Sequence, residues 1–100
     1  MTYDDLVDEL LPRYGDAERS QMMGMPCVKR NGKLVLGQVR DEDAVVFKLE
    51  DTGEREAALA LEGAHLFDPS GKGRPFKEWV VVPPAHAAVW LRLAEVALGD

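Results

Sequence analysis

One hundred residues, 46% hydrophobic and 30% charged, suffice for one domain with its own apolar core and not for two, so the chain is read as a single domain over 1–100. The net charge of −6 works against broad, non-specific binding to nucleic acid, which depends on many Lys and Arg contacts to phosphate. A lone cysteine excludes an internal disulfide, no apolar run is long enough to span a bilayer, and the N-terminus is acidic where a secretory signal would be basic; the expected location is the cytoplasm.

Tyr3, Leu6, Val7, Leu10 and Leu11 recur at helical spacing with acids between them, which predicts an amphipathic helix. Thr2 and Asp5 stand at capping-box separation, with Asp in the place of Glu. Pro12 should stop this helix, because the residue before a proline is driven out of the α region. Residues 12–21 read as a polar connection. Asn31-Gly32 is then a strong hairpin signal, since a type I′ turn needs positive φ at both central residues. Centring the turn there pairs Arg30 with Lys33, Lys29 with Leu34, Val28 with Val35 and Cys27 with Leu36. In that register Met25, Cys27, Leu34 and Leu36 form a core face, and Val28 and Val35 the opposite one. Cys27 then points inward, where a thiol is inert.

After a turn at Asp41-Glu42-Asp43, residues 44–49 predict a third strand. Asp51 and Glu54 open a helix over 52–62, closed by Gly63. A fourth strand at 65–67, a Gly/Pro-rich loop at 68–75 and a fifth strand at 77–82 follow. Pro83-Pro84 ends that strand and leads into a terminal helix over 84–98. The clearly polar residues of this helix are His86, Arg92 and Glu95, so it calls for cover on more than one side. Val89, Trp90, Leu93 and Val96 are therefore candidates for an interface with a second copy or another protein. The expected fold is an α+β two-layer sandwich with an antiparallel sheet, in the order α-β-β-β-α-β-β-α.

Chemistry is sparse. Cys27, His65 and His86 lack the short paired spacings of a zinc site and form no recognisable thiol–imidazole motif. The acid pairs sit in polar runs, where solvation and helix capping account for them. No catalytic, metal or cofactor residue is assigned. The Met22, Met23, Met25 run reads as core or edge packing, with an adaptable binding groove as the alternative. Charge, however, is segregated: five bases and no acid lie between Arg19 and Arg40. Lys29, Arg30 and Lys33 near the hairpin tip, with Lys72, Arg74 and Lys77, are the candidate contacts for an anion or nucleic acid. The glycines of Gly71-Lys72-Gly73-Arg74 would let backbone amides turn toward a phosphate, although the spacing is not that of a Walker loop.

The segments MMGMPCVKRNGK and FDPSGKGRPFKEWVVVPP, followed by a tryptophan-bearing terminal helix, resemble the small TfoX N-terminal-domain-like proteins, near the MmcQ/YjbR group. The resemblance runs from Asp4 to Leu98, with Met23 where many relatives show Phe. It implies helix, three strands, helix, two strands, helix, and a link to transcriptional regulation of competence. Regulators of that type carry a second, helical domain, for which the residues after Leu98 leave no room. The resemblance supplies no catalytic residues. The expected function is a non-enzymatic binding or regulatory module acting through protein contacts, with itself or a transcription-related partner. The alternative is nucleic-acid or phosphate-ligand binding through the basic hairpin tip and the Gly71–Lys77 loop.

Overall fold

A computed structural model describes residues 1–99. The first helix, α1 (Tyr3–Leu10), starts on a complete capping box. Thr2 Oγ1 accepts from the Asp5 amide at 3.1 Å, and the Asp5 carboxylate accepts from the Thr2 amide at 3.0 Å. Its apolar stripe of Tyr3, Leu6, Val7 and Leu10 is buried.

Four strands follow: β1 (Ala17–Met22), β2 (Met25–Arg30), β3 (Lys33–Val39) and β4 (Ala44–Lys48). Then come α2 (Thr52–Leu59), β5 (His65–Leu66), β6 (Trp79–Val82) and α3 (Trp90–Ala97). The six strands make one antiparallel sheet in the order β1-β2-β3-β4-β6-β5. The α+β class and the antiparallel sheet are as expected, in the expected order with one strand added. That strand is β1, which occupies the stretch read as a connection. It lies at the sheet edge with Glu18, Arg19 and Gln21 exposed, so it carries no apolar alternation. Its turn, Met23-Gly24, takes φ of 52° and 82° without an Asn or Asp to announce it.

Asn31 and Gly32 do form the second hairpin bend, at φ 53° and 78°. Arg30 pairs with Lys33 and Lys29 with Leu34, as expected. Beyond them the register slips: Val28 pairs with Leu36 and Cys27 with Gly37. Val35 is the extra residue of a bulge, and one extra residue moves every later side chain to the other face. The expected core face therefore splits. Leu36 joins the row Arg19–Val28–Leu36–Phe47–Val80–Leu66, beneath the helices. Cys27 joins the row Ser20–Cys27–Gly37–Val46–Val81–His65, on the opposite face.

The helical side holds the main core, where Leu6, Leu10, Phe47, Val80, Trp90 and Leu93 are all buried. Trp90 and Leu93 are each 1% exposed, which removes them from the expected subunit interface. The physical reason is the form of the terminal segment. Pro84–Val89 is 3₁₀ helix with a kink at His86, and only Trp90–Ala97 is α-helical. That short helix is sandwiched between the sheet and α1, so its wide apolar surface is covered by its own chain. Val89 and Val96 remain half-buried against the same core.

Candidate functional site

The helix-free side of the sheet carries a second, smaller cluster of Ala44, Val46, Phe67 and Val81, flanked by Met25, Val39 and Trp79. The segment after β5 folds back over it. Phe67 donates to Trp79 O at 2.8 Å and Phe76 to Phe67 O at 2.9 Å, so residues 68–75 form a closed excursion. Phe67, Phe76 and Trp79 pack mutually, with ring centroids 5.9–6.4 Å apart. Met25 reaches across Gly37, where a Cβ would lie 2.7 Å from its methyl carbon. A larger residue there would oblige the flexible end of Met25 to move aside.

Between this cluster and the β1–β2 turn lies a groove of about 280 Å³. Met23, Met25, Pro26, Val39, Phe67 and Pro69 supply its apolar lining, while Arg40 and Asp41 are its charged members. Met23 is 99% exposed and stands at φ 52°, a left-handed conformation that disfavours a side chain of this size. Neither feature helps the fold: the residue buries nothing and strains its backbone. Replacing Met23 by Asn, which tolerates this conformation, should therefore raise stability by about 0.5–1 kcal/mol. The check is a higher urea midpoint with an unchanged denaturant slope.

The candidate bases sort differently from expectation. Arg30 is structural: its Nε lies 3.0 Å from both Asp16 carboxylate oxygens, its guanidinium lies 5.3 Å from the Tyr14 ring centroid, and Nη1 donates to the Leu98 carbonyl. Lys33, its cross-strand partner, lines a separate groove with Leu98 and Lys48. The hairpin tip and the Gly71–Lys77 loop thus do not make one basic patch. The loop does turn its amides inward, but its own carboxylate fills the nest. Asp68 accepts from Gly71 N at 3.2 Å, Gly73 N at 2.9 Å and Ser70 Oγ at 2.9 Å. Desolvation pushes the Asp68 carboxyl up, yet the Ser70 hydroxyl and the Gly73, Gly71 and Arg74 amides together hold it below the usual carboxylate range. A phosphate would have to displace Asp68 to use those amides.

Ion pairs stand on both faces of the sheet: His65 with Glu42 and Lys48 with Glu50 on the helix-free side, and the arginine pairs elsewhere. Arg13, Arg19, Arg30 and Arg92 are ion-paired with Glu9, Asp4 and Asp8, Asp16, and Glu54. These five pairs, made by four arginines, lie on the helical side or at its rim. Among the described residues Lys29, Lys33, Arg40, Lys72, Arg74 and Lys77 have neither an ion pair nor a side-chain hydrogen bond. Two of these six, Lys29 and Arg40, are placed on the helix-free side by strand alternation and by the groove lining. Lys29 stands opposite Glu18 across the β1–β2 ladder, Arg40 lines the groove beside Asp41, Lys72 and Arg74 belong to the excursion, and Lys77 lines a separate depression with Arg55. From the sequence Arg40 counts among the segregated bases without being named a contact, and Met23 belongs to a run read as packing first and as an adaptable groove second; its solvent exposure is what the structure adds.

The nucleophile and its partners are not assembled. Cys27 is 1% exposed and burial pushes its thiol pKa up. Four strand spacings, about 19 Å, separate it from His65 in the same row. His86 Nε2 lies 2.8 Å from the Glu62 carbonyl. His65 has acceptors at both nitrogens: Glu42 Oε1 at 2.7 Å from Nε2 and the Leu66 carbonyl at 2.9 Å from Nδ1. Only imidazolium, with N–H on both, satisfies both acceptors. The Glu42 carboxylate first and the Leu66 carbonyl next raise the His65 pKa, against desolvation. The stabilisation is therefore complete below the unfolded value of 6.5 and is lost as pH rises through the higher folded value. Urea midpoints should fall between about pH 6 and pH 8, and the fall should shrink in Glu42→Gln.

No protein-family model matches the chain, and neither a curated protein nor a solved structure does.

Proposed function

We propose that this protein is a non-enzymatic binding module that engages another protein through the helix-free face of its sheet, as a regulatory domain of the TfoX N-terminal type. The observation that carries the reading is Met23, a fully solvent-facing thioether on a strained turn beside an apolar groove. Strain and exposure at one residue, without compensation from folding, point to a role outside folding. The groove, at about 280 Å³, falls just below the range of about 300–1,000 Å³ for small-molecule sites and suits one or two apolar side chains of a partner. Burial of Trp90 and Leu93 leaves this face, rather than the terminal helix, as the contact surface.

A photo-crosslinking residue at Pro69, beside the groove, should give a discrete adduct with one protein in the source cells. The same residue at Glu9, on the outer side of α1, should give none. Equal labelling from both positions, or none from Pro69, would reject the reading.

One observation favours a second reading, single-stranded nucleic acid. Phe76 is 49% exposed between Arg74 and Lys77, a pairing of aromatic face and charge that suits a stacked base. Binding of that kind should weaken steeply with salt and vanish on charge reversal at Lys72, Arg74 and Lys77. No retention of an oligonucleotide at low salt would end it.

A further inference from the structure

We infer that the His65–Glu42 ion pair is a pH-dependent clasp across the groove at the Met23 turn. It ties the wall that carries Arg40 and Asp41 to the wall that carries Phe67 and Pro69, and it releases them as the pH rises. As regulation of the binding surface this rests on the reading above; the clasp itself acts in the free chain. The placement of the two residues carries the inference. Glu42 ends the 3₁₀ turn Arg40–Glu42 between β3 and β4, and the first two residues of that turn line the groove. His65 stands on β5, and Phe67 and Pro69 of the opposite wall follow it by two and four residues. In the sheet, β6 separates β5 from β4, so no strand ladder joins the two walls directly. Among the described residues, the contact of His65 Nε2 with Glu42 Oε1 at 2.7 Å is the one hydrogen bond or ion pair between the 3₁₀ turn and residues 65–76.

The chemistry of the ring gives the direction. The Leu66 carbonyl lies 2.9 Å from Nδ1, so both nitrogens face acceptors and imidazolium serves both. A neutral ring has one N–H. With the proton on Nε2, the Nδ1 lone pair is set against the Leu66 carbonyl; with it on Nδ1, the Nε2 lone pair is set against the carboxylate. Neither tautomer holds the ring where it stands, and neither is an ion pair. Both side chains are half-exposed, so the proton exchanges with solvent and the clasp follows the bulk pH. The Glu42 carboxylate, and the Leu66 carbonyl after it, raise the His65 pKa above 6.5, which puts the release on the upper side of that value. The elements around His65 bring few other charges. β6 brings none at Trp79–Val82, and the 3₁₀ turn with its cap brings Arg40, Asp41 and Asp43 beside Glu42. The connection ahead of β5 brings Glu62, whose carbonyl is taken by His86, and the excursion brings Asp68, held by Ser70 and by the amides of Gly71 and Gly73. Of these groups Glu42 alone bonds the ring.

The test is a nuclear magnetic resonance titration of the full chain from about pH 5.5 to pH 8.5, following the His65 ring and the amides of Arg40, Asp41 and Phe67. One midpoint above 6.5, shared by the ring and by the amides of both walls, is the expected result. In Glu42→Gln, a half-exposed position where the fold tolerates the change, the His65 midpoint should fall and Arg40 and Asp41 should cease to follow it. Asp41→Asn removes an equal charge one residue away and should leave the coupling in place. Amides of Arg40 and Asp41 that do not titrate with His65 in the parent, or that still do so in Glu42→Gln, would overturn the clasp. Loss of the coupling in Asp41→Asn would reduce it to general charge and overturn it as well. Crosslinking at Pro69, repeated at about pH 6 and pH 8, keeps the two readings apart. An adduct whose yield differs between the two in the parent and not in Glu42→Gln supports both. An adduct of equal yield overturns the regulation and leaves the binding reading in place. No adduct at either pH overturns the binding reading, while the titration still decides the clasp.

Discussion

Replacing Trp90 by alanine is expected to cost about 3–5 kcal/mol, a large share of the roughly 5–15 kcal/mol that holds a domain of this size together. Trp90 is 1% exposed in the main core, and its Nε1 donates to the Val82 carbonyl at 3.2 Å. Truncation therefore opens a large cavity beneath α3 and removes the donor that ties the helix start to the end of β6. Trp90→Phe separates the two effects: it keeps most of the volume and loses the hydrogen bond, at about 1–3 kcal/mol. Urea unfolding followed by far-ultraviolet circular dichroism measures both. The same experiment tests the interface role expected of Trp90 from the sequence. An interface tryptophan would lose oligomer and keep its urea midpoint at low protein concentration. A core tryptophan loses midpoint at every concentration, with no change in molecular mass by light scattering.

That contrast shows where the sequence was legible. Elements fixed by local chemistry were readable: the Thr2–Asp5 box, the Asp51 cap with its 2.9 Å bond from Glu54 N, and the Asn31-Gly32 bend. Elements fixed by neighbours were not. β1 has a strand's backbone and an edge's polar composition, so the only signals were its partner and a Met-Gly turn that few sequences use. The bulge at Val35 is invisible to alternation, because both candidate registers bury apolar residues in a sheet covered on both sides. The glycines of the Gly71 loop predict amides turned toward an external anion, whereas in the structure Gly71 N and Gly73 N donate to the chain's own Asp68. That residue lies just ahead of the glycines, and sequence alone does not rank an internal carboxylate above an external phosphate.

Arg30→Ala is expected to destabilise by about 2–3 kcal/mol, although the residue sits beside an exposed turn where a base is usually expendable. Three partners explain the size. The guanidinium holds Asp16 at 3.0 Å, packs over Tyr14 and donates to the carbonyl of Leu98, the C-cap residue of α3. The last turn of α3 has no base of its own, so Arg30 supplies, from β2, the positive charge and the donor that the helix end lacks. It thereby joins the segment ahead of β1, the central hairpin and the terminal helix at one point. Arg30→Lys should recover only part of the loss, because a point-like ammonium cannot reach a carboxylate, a carbonyl and a ring face together. Lys33→Ala, one pair along in the same hairpin, should stay within about 0.5 kcal/mol of the parent. An unchanged urea midpoint in Arg30→Ala, with weakened anion binding, would return Arg30 to the ligand-contact role that its sequence position suggests. A lowered midpoint with an unchanged denaturant slope would place it in the frame of the fold.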